Sequence, residues 1–232
     1  MEQIVLDYLL RNEQLHIDML ETIRHEPCQL IYASDQGVML FNETGRIYML
    51  STDDLDLGEA LIKQHLKAGT GIVIHQSALE PVVRNYFKVS ERLECYQEIF
   101  PKAELMSLPG QLEIRPMVLE DAKIICNYYS HHSDLEYIEE IISGGWMFGL
   151  YENNTLAGFI GRHTDGSMGL LEILPKYQRK HYATYLLNFM CVQYQKRGWT
   201  AYSQVEIQNE VSVRLHNKVG AVKSDSAIIW LM

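Results

Sequence analysis

Two stretches of this chain combine residue types at spacings that could do chemistry. The first runs Leu170-Leu171-Glu172-Ile173-Leu174-Pro175-Lys176-Tyr177-Gln178-Arg179-Lys180-His181-Tyr182-Ala183-Thr184-Tyr185-Leu186-Leu187: an apolar run, a proline stop, a basic turn and the start of an amphipathic helix. A helix N-terminus leaves N–H groups unpaired and carries partial positive charge, so a turn of this kind can receive a pyrophosphate. Arg179 and Lys180 add full charges beside it. In the second, Val205 to Ala221, Asn209, Ser212 and His216 fall at i, i+3 and i+7 and share one helix face, while Leu215 and Val219 mark an apolar stripe. An imidazole changes charge near neutral pH, which makes His216 a candidate proton donor. Glu172, Glu206 and His163 are the candidates for accepting a proton. With no Gly-x-Ser-x-Gly and no other activated nucleophile, direct attack of one substrate on another is simpler than covalent catalysis.

Taken in this order, the two stretches resemble the signature segments of the GNAT superfamily of N-acetyltransferases. Gln178 to Ala183 is similar to that family's Q/R-x-x-G-x-G/A, with Gln178 and Ala183 in the first and last places and His181 where the family has glycine. Asn209 to Ala221 is similar to N-x-x-[SA]-x-x-L-Y-x-K-x-G-F, with His216 in the place of the tyrosine. The resemblance implies acetyl-CoA as co-substrate, no metal, and the primary amine of a small molecule or peptide as acceptor. It implies that backbone amides at Ile173 and Leu174 meet the acyl group and pantetheine arm. Gln178, Arg179, Lys180, His181, Tyr182, Ala183 and Thr184 would surround the diphosphate, with Asn209 and Ser212 on the same cleft. His216 would protonate the departing thiolate, and Glu172 would take the amine's proton. His181 either hinders the close backbone approach that glycine allows or donates to a phosphate oxygen. A catalytically weak acyl-CoA-binding or regulatory protein and a noncatalytic interaction module are the competing readings.

Placing these residues needs a particular run of elements. From Leu112 the pattern predicts strand 112–115, helices 118–129 and 134–142, strands 146–151, 156–163 and 167–174, helix 182–197, strand 200–207, helix 210–219 and strand 221–231. Pro116, Pro175, Gly198 and Gly220 punctuate it. Earlier in the chain the pattern predicts helices within 2–23, a strand meander over 29–50, and then helix 57–68, strand 71–75, helix 79–87 and strand 91–100. Residues 101–110, with Pro101, Pro109 and Gly110, form the expected linker between domains 1–108 and 109–232. The fold class is therefore α/β with a mixed sheet: a GNAT fold in the second half and a smaller or degenerate GNAT-like domain in the first, as in glycine-acyltransferase-like groups. The stretch near Leu79 lacks the basic turn, so the first half is expected to shape the acceptor cleft, with Tyr86, Phe87, Tyr96 and Trp146 either lining it or in the core.

Composition narrows the alternatives. Of 232 residues 47% are hydrophobic and 22% charged, a balance that supports a packed core. The net charge of -10 disfavours nucleic acid as a partner, and the first 110 residues carry 17 of the 30 acids against 9 of the 20 Lys/Arg. That acidity suits a cationic amine, and solubility explains it equally well. Cys28, Cys95, Cys126 and Cys191 form no ligand spacing, which signals neither zinc nor a disulfide framework. No signal peptide or membrane span is evident, so a cytoplasmic protein without membrane contact is expected, with a homodimer open.

Overall fold

The computed structural model describes residues 2–129 and 134–232. Two helices, α1 (Glu2–Leu9) and α2 (Ile17–His25), precede the meander β1 (Cys28–Ala33), β2 (Gly37–Asn42) and β3 (Ile47–Thr52). Then come α3 (Leu55–His65), β4 (Gly71–Ile74), α4 (Glu80–Tyr86) and β5 (Arg92–Ile99). The second half runs β6 (Leu112–Pro116), α5 (Ala122–Tyr128), α6 (Leu135–Ser143), β7 (Met147–Glu152), β8 (Thr155–Arg162), β9 (Met168–Ile173), α7 (Tyr182–Lys196), β10 (Tyr202–Glu206), α8 (Glu210–Val219) and β11 (Val222–Leu231). Local chemistry sets the ends. The Asn209 side chain accepts from the Ser212 N–H at the start of α8, and Gly220 leaves that helix at φ 90°.

All the strands form one eleven-stranded sheet in the order β1-β2-β3-β4-β11-β5-β10-β9-β8-β7-β6. Among the described residues only β3–β4 and β9–β10 pair in parallel; the other neighbours are antiparallel. The unit β3-α3-β4-α4-β5 repeats the topology of β9-α7-β10-α8-β11, and the final strand of each unit lies in the other half's part of the sheet. There β5 and β11 pair with each other over Val222↔Ile99 to Leu231↔Arg92. The irregular stretch between β5 and β6 holds the expected linker, but the hydrogen-bonded sheet is continuous across both halves.

Helices cover both faces. In the first half α1 and α2 bury Val5, Leu9, Met19 and Leu20 against Val38, Leu40 and Ile228, while α3 and α4 bury Leu61, Ile62 and Val83 against Leu50, Ile74 and Ile229. Adjacent residues of β11, Ile228 and Ile229, thus serve opposite faces, as the strand period of two requires. In the second half α7 packs Leu186, Leu187 and Met190 on one face, and α5 and α6 pack Ile125, Ile138 and Ile141 on the other. Among the described residues no helix is long and apolar enough to cross a membrane.

A buried polar seam also joins the halves. Arg162 of β8 pairs with Glu26, the Glu21 carboxylate accepts from the Thr200 N–H at 2.9 Å, and the Asn42 amide donates to the Asp165 carbonyl. Burial pushes the Asp165 carboxyl up to about 6 from an ordinary 3.8. The folded state therefore holds this proton more tightly than the unfolded chain. Its stabilising contribution is full below about pH 4 and is lost as pH rises through about 6. Asp165→Asn is accordingly expected to raise stability, relative to wild type, more at pH 7 than at pH 4, by up to about 3 kcal/mol in urea titrations; a gain independent of pH would contradict this assignment. The shared central strands also predict that fluorescence and far-ultraviolet circular dichroism report one unfolding transition; two separated transitions would show that the halves fold independently.

Candidate active site

The site begins where two strands part. Parallel pairing of β9 with β10 is confined to Ser203↔Met168, and the β8–β9 register shifts at a bulge between Phe159 and Gly161. Leu170, buried in β9, takes φ 50°, a conformation that a bulky side chain adopts only when its surroundings enforce it. Beyond Met168 the edge of β9 facing β10 is left without a strand partner, and a cavity of about 960 Å³ opens there between α7, α8 and both halves of the sheet. Its walls include Glu172 and Ile173 of β9. Leu174 is not on them: its N–H donates to the Ala157 carbonyl at 3.0 Å, so the expected amide is spent within the sheet.

Pro175 ends the strand, and the Gln178 amide folds back to donate to the Ile173 carbonyl at 3.2 Å. Arg179 and His181 both adopt φ 63° in the left-handed region, and His181, the residue capping α7, makes no side-chain cap bond. The Thr184 N–H bonds the His181 carbonyl at 3.0 Å, which leaves the Tyr182 and Ala183 N–H groups at the helix start to whatever enters the cavity, whose wall includes Gln178, Arg179, His181, Tyr182, Ala183 and Thr184. Positive φ at residue 181 explains physically why a glycine suits that position. Lys180 turns away: its ammonium lies 3.0 Å from the Glu152 carboxylate, which also accepts from the Tyr182 hydroxyl. These two donors hold the Glu152 carboxyl below its ordinary range.

On the facing wall α8 brings Asn209, Ser212, His216 and Lys218 to the same cavity. The Lys218 ammonium stands 3.1 Å from His181 Nδ1, so a cation outside the turn replaces Lys180 beside it. His216 is 7% exposed; its Nδ1 bonds the Glu98 carboxylate, Ser203 Oγ lies 3.3 Å away, and the Phe100 ring meets it edge-on. Glu98, on β5, is missed by sequence reasoning: nothing local marks it, and only the cross-half register Ser203↔Glu98 brings it behind α8.

The same cavity is lined by Glu172, Glu206 and His163, the three candidate proton acceptors, together with Tyr129 and Tyr137. The Tyr137 hydroxyl and His163 Nδ1 are 2.7 Å apart, and burial pushes the Tyr129 hydroxyl up to about 12. Of the four aromatic residues for which cleft and core were the alternatives, none lines this cavity. Tyr86 bonds Glu59, Phe87 packs beside α3 and α4, Tyr96 lies under the Lys223 ammonium, and Trp146 stacks on Trp199. Among the described residues no group of three or more His, Cys, Asp or Glu side chains could hold a metal ion, and all four cysteines are free.

The equivalent joint in the first half is β3–α3, not the stretch near Leu79. There the Asp54 side chain accepts from the Asp56 and Leu57 N–H groups and closes the helix end that α7 leaves open. Negative charge and a filled cap exclude an anion from that joint.

Residues 115–221 match the model of the acetyltransferase (GNAT) family. The X-ray structure of a Drosophila protein is similar over 99% of this chain and 94% of that one, with TM-score 0.70 and 16% identity. A GCN5-related N-acetyltransferase from Kribbella flavida matches over 95% of each chain, with TM-score 0.58 and 10% identity. A GCN5-related N-acetyltransferase-like protein from Streptococcus suis matches over 98% of this chain and 99% of that one, with TM-score 0.55 and 10% identity. At these identities the likeness is one of fold, and it spans both halves. No curated protein matches the sequence.

The left-handed turn generates a direct prediction. His181→Gly removes the steric cost of φ 63° and is expected to stabilise the protein by about 1 kcal/mol in chemical denaturation. A loss of that size would instead assign the imidazole a stabilising contact that outweighs the strain.

Proposed function

We propose that the protein, whose residues 115–221 match the acetyltransferase (GNAT) family model, transfers the acetyl group of acetyl-CoA to a primary amine of a small molecule or peptide by direct attack. One observation carries this reading: the start of α7, the edge of β9 that lacks a strand partner and His216 all face a single cavity of about 960 Å³. That volume suits a large, extended ligand.

In this reading the first-turn amides of α7 grip the diphosphate, with Arg179 and Lys218 supplying charge. The N–H groups of β9 beyond Met168 polarise the thioester carbonyl and hold the oxyanion that forms on attack. Glu172, Glu206 or His163 takes the proton that the amine gives up, directly or through water. As the new C–N bond forms and the C–S bond breaks, His216 Nε2 delivers a proton to the thiolate. The free cysteines fit a reducing compartment such as the cytoplasm.

Acetyl-CoA at about 100 times its dissociation constant is expected to add about 2.7 kcal/mol of stability, read as a rise in melting temperature. A panel of primary amines supplied with acetyl-CoA should include one that releases free thiol. His216→Ala is expected to lower kcat with that amine about 100-fold or more. A thermal shift without thiol release from any amine would instead identify an acyl-CoA-binding protein. Absence of both would overturn the proposal.

A further inference from the structure

We propose that Glu98, supplied by the first half of the chain, is a positioning residue that fixes the tautomer and aim of His216. The inference rests on the proposed role of His216 as proton donor. Its physical basis is the strand exchange, which inserts β5 between β11 and β10 and sets Glu98 opposite Ser203, behind α8.

Glu98 is fully buried and His216 nearly so. A buried carboxylate is tolerated only when a partner compensates the loss of water. Here one oxygen, Oε2, bonds His216 Nδ1, and the other, Oε1, has no hydrogen-bond partner among the described residues. The surrounding cations are engaged elsewhere. Lys223, opposite Glu98 on β11, lays its ammonium 3.7 Å from the centre of the Tyr96 ring; Lys218 meets His181; and Arg214 pairs with Glu210. The imidazole is thus the group that Glu98 serves, and the Phe100 edge and Ser203 Oγ limit the ring's rotation.

The chemistry follows from which nitrogen is committed. With Nδ1–H donating to Glu98, Nε2 is the nitrogen available to the cavity. When Nε2 gives its proton to the leaving thiolate, the imidazole is left as the Nδ1–H tautomer, which the carboxylate already holds. Glu98 does not touch the substrates and acts through His216 alone. The first half, whose own helix joint is capped by Asp54, thereby supplies a part of the active site that the second half lacks.

The test uses the full chain and the amine found by thiol release, with kcat, KM and melting temperature measured together. Glu98→Gln places an amide against Nδ1, and its NH2 can donate there and stabilise the opposite tautomer. A fall in kcat of about 10- to 100-fold is expected, with KM for acetyl-CoA changed less than about twofold. Glu98→Asp should recover part of kcat, which a pair that merely ties the halves together would not require. Independently of any variant's folding, histidine side-chain nitrogen NMR of the wild type should show His216 protonated at Nδ1. An unprotonated Nδ1 overturns the proposal, as does wild-type kcat in Glu98→Gln when His216→Ala is slow. Undiminished turnover in His216→Ala instead removes the proton-donor role itself, and the positioning role falls with it.

Discussion

The antiparallel pairing of β5 with β11 at the centre of the sheet is the contact on which the rest of the molecule depends. Each strand is the last of its own half and lies in the other half's territory, so neither half completes its sheet alone. The exchange is stabilised by the same forces that hold any sheet: Ile228 and Ile229 bury on opposite faces against helices of the first half, while hydrogen-bonded strands follow one another from β1 to β6. Its consequence for function is positional. It sets β5 beside β10, brings Glu98 behind His216, and places residues of both halves around one cavity.

Within that frame the site departs from relaxed backbone at the places where backbone must be presented. Leu170 at the β9 bulge, and Arg179 and His181 in the turn, take positive φ although none is glycine. Two of them are held by surrounding structure: Leu170 is buried beneath α5 and α6, and His181 is anchored by the start of α7, whose Thr184 and Tyr185 N–H groups bond its carbonyl. Strain of this kind, concentrated at a notch and a helix end, is consistent with a surface built to meet a ligand's polar groups. The first-half joint at β3–α3 is the contrast, for there Asp54 satisfies the helix end internally and no anion is called for.

Much of this was legible in the sequence. Pro116, Pro175, Gly198 and Gly220 mark element ends, alternation and helical spacing mark the elements between them, and the basic turn before Tyr182 locates the open helix. Those signals are local, and so was the success. Strand order is not local, which is why Glu98 was invisible and why the counterpart of the basic turn was sought near Leu79 instead of at Thr52–Leu57. Side-chain direction was equally hidden. Lys180 has the charge to bind phosphate but pairs with Glu152, while Lys218, 37 residues beyond His181 on another helix, reaches the turn instead. Leu174 has an amide in the expected place, but β8 consumes it.

The most direct test of the common site is a crystal structure of the protein with acetyl-CoA. The expected result is a diphosphate hydrogen-bonded to main-chain N–H groups between Arg179 and Ala183, with the thioester against β9 and its sulfur within reach of His216 Nε2. A coenzyme bound away from the α7 turn, or a sulfur remote from His216, would contradict it.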